Sequence, residues 1–351
     1  MTVNVGFIGA GNIAQYHSKS LKASGADAAW SGVYDTDADR TARFAAASGA
    51  VACESADEVI ERSDAVYVCT WTSEHEPNVL KVAEAGRAVF CEKPLGTDLT
   101  SATRIVEAVE TAGVINQVGL VLRNSPVFHL LRHLIHLEEA GPAMSVIFRD
   151  DQFLPVQGRY GSTWRSDVDK AGAGVLIEHS IHDIDLLEWM YGSIAAVSAE
   201  ASYVHGIEGI EDVISVNMSF ESGVVGTMVS VWHEMLDRVS NRHVEVFNER
   251  LWARLRGEWS GDVTWTIHDA VHGSRNSSLQ GQELMDFAAS VSPGSGENPD
   301  ANFIAAIAGP RAAYPSLRTA LRAHEIVDAC YLSAATGGRI EVGSDYGRTH
   351  G

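Results

Sequence analysis

The chain has 351 residues, 45% of them hydrophobic, which is longer than one ordinary hydrophobic core accommodates. Its 46 acidic and 26 basic residues give a net charge of −20, which disfavours nucleic acid and anionic membranes as partners. Because no apolar run approaches the roughly 18 residues that span a bilayer and no leader pattern opens the chain, we expect a cytoplasmic protein.

Short apolar runs alternate with helical patterns over the first 120 residues. We interpret the runs as strands at 3–8, 28–34, 50–53, 65–70, 88–91 and 114–118. Helices are predicted between them at 13–23, 38–47, 57–61, 77–85 and 101–111. Several runs are apolar throughout, as in strands that helices cover on both faces. Residues 1–120 are therefore predicted to form an α/β domain with a doubly wound parallel sheet.

The pattern changes after residue 120. Helices are predicted at 126–139, 174–189, 281–291 and 316–335, and residues 292–300 are expected to form a loop. Strands are predicted at 196–203, 213–220, 224–232, 243–247, 251–256 and 263–267. Since turns such as residues 221–223 join neighbouring strands, residues 121–351 are predicted to form an α+β domain with a large, open, mostly antiparallel sheet.

A glycine-rich segment follows the first predicted strand and opens the first predicted helix. It consists of Gly9, Ala10, Gly11, Asn12, Ile13 and Ala14. Glycines at these positions permit a tight turn and a close approach to a pyrophosphate, while the helix N-terminus attracts phosphate. Asp35, 21 residues after Ala14, suits a carboxylate that holds the adenosine ribose and repels a 2′-phosphate. NAD is thus preferred over NADP, the alternative being that Asp35 only caps a helix.

Two further segments carry candidate chemistry. Lys93 follows the fifth predicted strand, at the sheet edge where ligands of such sheets bind, although a surface lysine is the alternative. Glu178, His182 and Asp185 stand at i, i+4 and i+7 of an otherwise apolar helix. A buried network that only joins domains is the alternative for this stripe.

These residue types suit the oxidation of an alcohol. His182 is a base near neutrality that can accept the hydroxyl proton, and Lys93 can stabilise negative charge on the oxygen. Glu178 can orient the imidazole or bind a second hydroxyl. Neither role requires a metal.

The chain resembles the Gfo/Idh/MocA oxidoreductases in GFIGAGNIA at 6–14, CEKP at 91–94, IEHSIHDIDLLEWMYG at 177–192 and the ending at 321–342. The resemblance implies a Rossmann domain, then an open sheet used for association into a homodimer or homotetramer. It implies Lys93, Glu178 and His182 as catalytic residues. The residues that it implies near the cofactor are Thr70, Trp71, His75, Glu92, Lys93, Trp164 and Arg165.

Other polar and aromatic residues are weaker candidates. Arg123 and Tyr160, with Lys93, Glu178 and His182, are predicted to bind the substrate, and Trp232, His233 and Asn241 are further candidates for stacking or hydrogen bonding to a sugar. His129, His133 and His136 could bind a metal, but we interpret them as the polar face of a helix. Four cysteines without CxxC spacing predict neither a disulfide nor a structural zinc.

Three functional hypotheses follow. The favoured one is an NAD-dependent dehydrogenase that oxidises a secondary alcohol of a sugar, sugar derivative or cyclitol. A second keeps tightly bound NAD for a transient oxidation that permits elimination or glycoside cleavage without net redox change. A third is a non-enzymatic regulator that senses the dinucleotide.

Overall fold

The computed structural model describes residues 2–343 and Tyr346, which divide into two compact units. The first unit comprises the chain up to Leu120 with Asp169–Gly172 and Glu297–His324; the second comprises Val121–Val168, Ala173–Gly296 and the described residues from Glu325. The division ends its first segment at Leu120, and the domain bounds 1–120 and 121–351 stay a prediction. It also assigns two later segments to the first unit, whereas the domain prediction from sequence assumes that each domain is one continuous stretch of chain.

A six-stranded parallel sheet forms the centre of the first unit, in the order β3-β2-β1-β4-β5-β6. Its strands are β1 (Val3–Ile8), β2 (Ala28–Tyr34), β3 (Val51–Ala52), β4 (Ala65–Val68), β5 (Ala88–Cys91) and β6 (Asn116–Val118). The helices after successive strands are α1 (Asn12–Ser24), α2 (Ala38–Ser48), α3 (Ala56–Arg62), α4 (His75–Glu84) and α5 (Leu99–Ala112). The strand order reverses at β1, so ligands are expected at the carboxyl ends of β1 and β4.

Burial and capping explain why these elements form. Every residue of β4 and β5 is buried, as expected for strands with helices on both faces. Asp37 caps α2 by accepting from the Arg40 amide at 3.0 Å, and Ser55 caps α3 in the same way. These side chains satisfy amides that the first helical turn leaves unpaired.

A nine-stranded sheet forms the centre of the second unit, in the order β14-β13-β12-β11-β7-β10-β9-β8-β15. Its strands are β7 (Ala143–Phe153), β8 (Ile194–Ser202), β9 (Val213–Phe220), β10 (Val225–His233), β11 (Asn241–Asn248), β12 (Leu251–Gly257), β13 (Gly261–Asp269), β14 (Gly273–Gln280) and β15 (Ile340–Glu341). Further α-helices among the described residues are α6 (Pro126–Ile135), α7 (Val168–Ala171), α8 (Ile181–Tyr191), α9 (Gly281–Val291), α10 (Pro299–Ala308) and α11 (Leu317–Thr336). Only β7 and β10 pair in parallel, which confirms the predicted mostly antiparallel sheet for the described strands.

Three of these elements differ from the sequence prediction. β7 ends in a buried polar stretch, Asp150 to Gln152, which conceals the apolar alternation of a strand. β14 is polar along most of its length because it lies at the sheet edge. α10 begins inside the predicted loop 292–300, where Pro299 is the first helical residue and Asn298 caps the helix by accepting from the amides of Asp300 and Ala301.

The four cysteines are buried free thiols. Within residues 2–343, no helix is both long enough and apolar enough to cross a membrane.

Candidate functional site

The loop between β1 and α1 contains two glycines, and each position suits glycine for a different structural reason. Gly9 has φ +93°, and a Cβ atom there would lie 2.5 Å from the carbonyl oxygen of Cys69. Gly11 precedes α1 without a side-chain cap, and a Cβ atom there would meet no described heavy atom within 4 Å. Ala14 is fully buried, whereas Ile13 is 39% exposed. Gly9 is therefore required by the backbone, and Gly11 leaves the amides of Asn12 and its neighbours open to an anion.

Asp35 follows β2 and is bonded to the same loop. Its Oδ2 accepts a hydrogen bond from the Ala10 amide at 2.8 Å, and its Oδ1 accepts one from the Asp37 amide at 2.9 Å. The cap of α2 is Asp37, so the alternative interpretation of Asp35 as a helix cap does not hold. The nearest described cation is the Arg40 guanidinium, 3.9 Å away. The side-chain carboxylate of Asp35 is thus hydrogen-bonded to the glycine-rich loop.

The segment after β4 carries Thr70, Trp71 and His75. The buried His75 ring lies within hydrogen-bonding distance of two carbonyl oxygens, that of Pro94 at 2.8 Å and that of Thr70 at 3.2 Å. It therefore links the segments that follow β4 and β5. The Lys170 ammonium lies 6.0 Å from the centre of the Trp71 ring, at the limit of a cation–π contact.

The segment after β5 contains Glu92 and Lys93. Glu92 is 6% exposed, and its Oε2 accepts a hydrogen bond from the Lys93 amide at 3.2 Å. Its Oε1 lies 2.7 Å from Nε2 of His17, whose Nδ1 lies 2.7 Å from Oδ1 of Asp300. Burial alone opposes a charged His17 ring, but Asp300 and then Glu92 raise its pKa to about 10.

Sequence reasoning missed His17 and Asp300. His17 lies between the buried Ala14 and Leu21 on α1, so a histidine on an apolar helix face was the available signal for it. Asp300 carries no comparable signal, because it lies 283 residues away and within a predicted loop.

In the second unit, the helix with Glu178 and His182 departs from the predicted geometry. Residues Leu176–Ser180 form a π-helix before α8, so one continuous α-helical face does not describe the region. Between Gly174 and Leu187, only His179 and His182 are not buried. A π-helical turn is common at functional sites because it reorients side chains locally. His182, like His179, is therefore partly exposed on an otherwise buried stretch of helix.

The acidic residues of this stretch are paired with arginines. Arg165 donates to Glu178 at 2.9 Å, and its guanidinium lies 4.3 Å from the centre of the Trp164 ring. Arg123 binds both oxygens of Asp185, at 2.8 and 2.7 Å. Arg123 and Arg165 thus each have a carboxylate partner within the unit.

The remaining predicted substrate residues have differing environments. The Tyr160 ring stacks on Phe153 at 5.1 Å and is partly exposed. Trp232 is 2% exposed, so it packs in the interior and cannot stack on a sugar. His233, the last residue of β10, and Asn241, the first residue of β11, are both partly exposed.

A buried charge network beside His179 was also missed. Arg242 contacts Asp183 at 2.5 Å and Asp150 at 3.3 Å, and Asp150 lies 2.8 Å from His179. Burial opposes ionisation, but Arg242 and His179 lower the pKa of Asp150, whereas burial and the charge of Asp150 raise the pKa of Asp183. Arg242 and His179 therefore favour ionisation of Asp150, whereas burial and the neighbouring Asp150 charge disfavour ionisation of Asp183.

The predicted histidine row is not a polar face. His129 is buried on α6 between Ser292 Oγ at 2.7 Å and the Arg123 carbonyl at 2.8 Å, and His136 lies beyond the end of α6. No group of three potential metal ligands occurs among the described residues. His129 and His136 bond to different groups, so the histidines do not form a cluster despite their regular spacing in the sequence.

Comparison with known proteins gives two matching family domains. Residues 3–120 match the oxidoreductase family with an NAD-binding Rossmann fold, and residues 128–254 match the GFO/IDH/MocA C-terminal domain. The chain is also 30% identical over 234 residues to inositol 2-dehydrogenase of Rhizobium meliloti, covering 64% of this chain and 67% of that protein. The chain belongs to the GFO/IDH/MocA oxidoreductase family.

Two other matching proteins show how far the similarity extends. Inositol 2-dehydrogenase of Cereibacter sphaeroides is 34% identical over 193 residues, and the match spans about half of each chain, 54%. A solved levoglucosan dehydrogenase in complex with NADH has a TM-score of 0.85 and 20% identity, covering 98% of this chain and 100% of that chain. At this identity, the structural similarity shows the fold.

The first unit of this GFO/IDH/MocA protein fits NAD. The uncapped N-terminus of α1, the open space at Gly11 and the Asp35 carboxylate beside the loop match the phosphates and the ribose of a dinucleotide. NAD is the family's cofactor, and these residues of the described chain are suited to it.

Proposed function

We propose that the protein is an NAD-dependent dehydrogenase that oxidises a secondary alcohol of a sugar, a sugar derivative or a cyclitol. The observation that carries the proposal is His182, which with His179 is one of two partly exposed side chains in the otherwise buried stretch from Gly174 to Leu187. Lys93, at the carboxyl edge of the dinucleotide-binding sheet, supports it. Relatives named inositol 2-dehydrogenase support a polyol substrate.

In this mechanism, bound NAD supplies a ring that accepts the hydride from the alcohol carbon. The neutral imidazole of His182 accepts the proton of the hydroxyl group. With that proton and the hydride removed, the alcohol becomes a carbonyl. The Lys93 ammonium donates a hydrogen bond to the same oxygen and stabilises its developing negative charge. Glu178, held by Arg165, orients His182 or accepts a bond from a second hydroxyl.

The residues proposed to bind NAD divide by role. Those proposed for the pyrophosphate are Gly9, Gly11, Asn12, Ile13 and Ala14, and Asp35 is proposed for the adenosine ribose. Those proposed near the nicotinamide are Thr70, Trp71, His75, Glu92, Lys93, Trp164 and Arg165. Arg123 and Tyr160 are proposed for the substrate, with the role of Arg123 exerted through Asp185 rather than by direct charge pairing.

Purified protein, NAD and a panel of polyols, including inositols and levoglucosan, test the proposal. We expect reduced NAD to accumulate with at least one polyol, and His182→Ala to lower kcat by about 100-fold or more. His272→Ala is the matched control, because its ring is 78% exposed. Oxidation of no polyol, or a His182→Ala rate equal to that of the control, would contradict the proposal.

We also propose association into a homodimer or homotetramer through the second unit's sheet. Alternate residues of β7, β10 and β11 expose large apolar side chains, with Ile147 at 51%, Val225 at 55% and Phe247 at 37%. Apolar surface of this kind is typical of an interface. Light scattering after size exclusion should give a dimer or tetramer, and Ile147→Glu should dissociate it; a monomeric wild type would contradict the proposal.

A further inference from the structure

The buried cluster of Glu92, His17 and Asp300 requires an unusual charge state. The His17 ring is fully buried, and each ring nitrogen lies 2.7 Å from a carboxylate oxygen. An ionised carboxylate only accepts hydrogen bonds, so both contacts are hydrogen bonds when both ring nitrogens carry a proton. The imidazolium then lies between two negative charges as a shared donor.

The titratable neighbours of this cluster remain neutral. They are Tyr16, Tyr67, Cys69 and Cys91. Burial, and then the charges of Asp300 or Glu92, raise the pKa of each of these groups. The aromatic rings of Phe90 and Tyr67 also pack at 4.8 and 5.6 Å from the His17 ring. The environment therefore excludes water and strengthens the two ionic hydrogen bonds.

Both ends of the cluster are held by the backbone. At one end, Glu92 lies so close to Gly119 that a Cβ atom there would be 2.2 Å from Oε1, and Oε2 accepts from the Lys93 amide. At the other end, Asp300 lies in the first turn of α10, whose cap, Asn298, also donates to Ser20 of α1 at 2.9 Å. A continuous series of hydrogen bonds thus links Asp300 and His17 to the backbone amide of Lys93.

We propose that His17 and Asp300 are positioning residues for Lys93, with the His17 imidazolium fixing the Glu92 carboxylate that holds the Lys93 amide. Neither residue needs to contact a ligand for this role. Its importance for catalysis rests on the proposed function, but the positioning itself is a property of the first unit alone.

The charge of His17 is tested directly by nuclear magnetic resonance of protein labelled with ¹⁵N at histidine. We expect both ring nitrogens of His17 to stay protonated from about pH 6 to about pH 9, with the signals assigned by their loss in His17→Gln. A ring with a single proton at about pH 7 would overturn the proposal.

The effect on Lys93 is tested by ¹³C-methylation of the lysines, which are Lys19, Lys22, Lys81, Lys93 and Lys170. In Asp300→Asn, we expect the resonance and titration midpoint of Lys93 to shift, while those of Lys81, paired with Asp57 on the surface, stay constant. Leu21→Val is the matched control, because it disturbs the buried face of α1 without touching Glu92. It should leave Lys93 unchanged.

Activity distinguishes this proposal from the proposed function. With a polyol that the wild type oxidises, Asp300→Asn should lower kcat by up to about 100-fold while KM for NAD changes little. If no polyol is oxidised but Lys93 still shifts, the proposed function fails and the positioning role stands. An unchanged Lys93 signal in Asp300→Asn refutes the positioning role. Glu92→Asp, which keeps the charge and shortens the side chain, is the second variant should Asp300→Asn not fold, and it is read in the same way.

Discussion

The stability of the protein should depend on the protonation of His17. In the folded chain its pKa is about 10, compared with 6.5 as the reference value. Because the folded value is the higher one, the stabilisation is complete below about pH 6.5 and is lost as the pH rises toward about 10. A difference of about 3.5 units, at about 1.4 kcal/mol per unit, corresponds to at most about 5 kcal/mol of the free energy of unfolding.

Urea unfolding of the wild type and of His17→Gln, followed by circular dichroism at several pH values, measures this dependence. The difference in free energy of unfolding between the two proteins should be largest near pH 6.5 and should decrease by up to about 1.4 kcal/mol per pH unit above it. Leu21→Val is the control and should lower stability by about 1 kcal/mol at every pH, because it removes only apolar packing.

A difference between wild type and His17→Gln that stays constant from about pH 6.5 to about pH 10 would refute the reasoning. It would mean that the ring is neutral when folded, so that one of the two carboxyl groups carries the proton instead. A difference that increases with pH would reverse the sign of the linkage and refute it as well.

Three further changes have defined expected outcomes. Gly9→Ala should cost about 1–3 kcal/mol in thermal unfolding and weaken NADH binding in a fluorescence titration, whereas Gly11→Ala should weaken NADH binding at nearly unchanged stability; equal stability of the two variants would contradict this. Asp35→Ala should lower the ratio of NADH to NADPH affinity by about tenfold or more, and an unchanged ratio would contradict its ribose role. Arg242→Met should cost about 3–5 kcal/mol in urea unfolding because it leaves two carboxyl groups buried without their cation, and a neutral result would contradict the network.

Periodicity predicted the first unit well for a physical reason. β1, β2 and β5 have the bounds expected from the sequence. For β5, which is buried throughout, the reason is that a strand covered on both faces is uniformly apolar and ends abruptly at a polar residue. The geometry of the glycine loop and of Asp35 is likewise local, since a turn and a strand end depend on nearby residues. Local chemistry determines local geometry at these positions.

The second unit contains the cases in which local patterns failed. β7 was missed because Asp150 and its neighbours point into the interior, and they are tolerated there only because Arg242, 92 residues later in the sequence, supplies the opposite charge. The π-helical turn at Leu176–Ser180 was missed because α-helical spacing assumes a constant number of residues per turn. In both cases a tertiary interaction changes the geometry that the nearby residues would otherwise adopt.

The same argument explains why the sequence could point to His17 but not to Asp300. A histidine on the apolar face of α1 must find a partner when buried, so the sequence alone raises the question of what His17 bonds to. The answer requires α10 to pack in the first unit although it follows eight of the nine strands of the second sheet in the chain. Only the folded topology brings Asp300 to His17. A residue late in the chain is thereby linked, through His17 and Glu92, to the segment that carries Lys93.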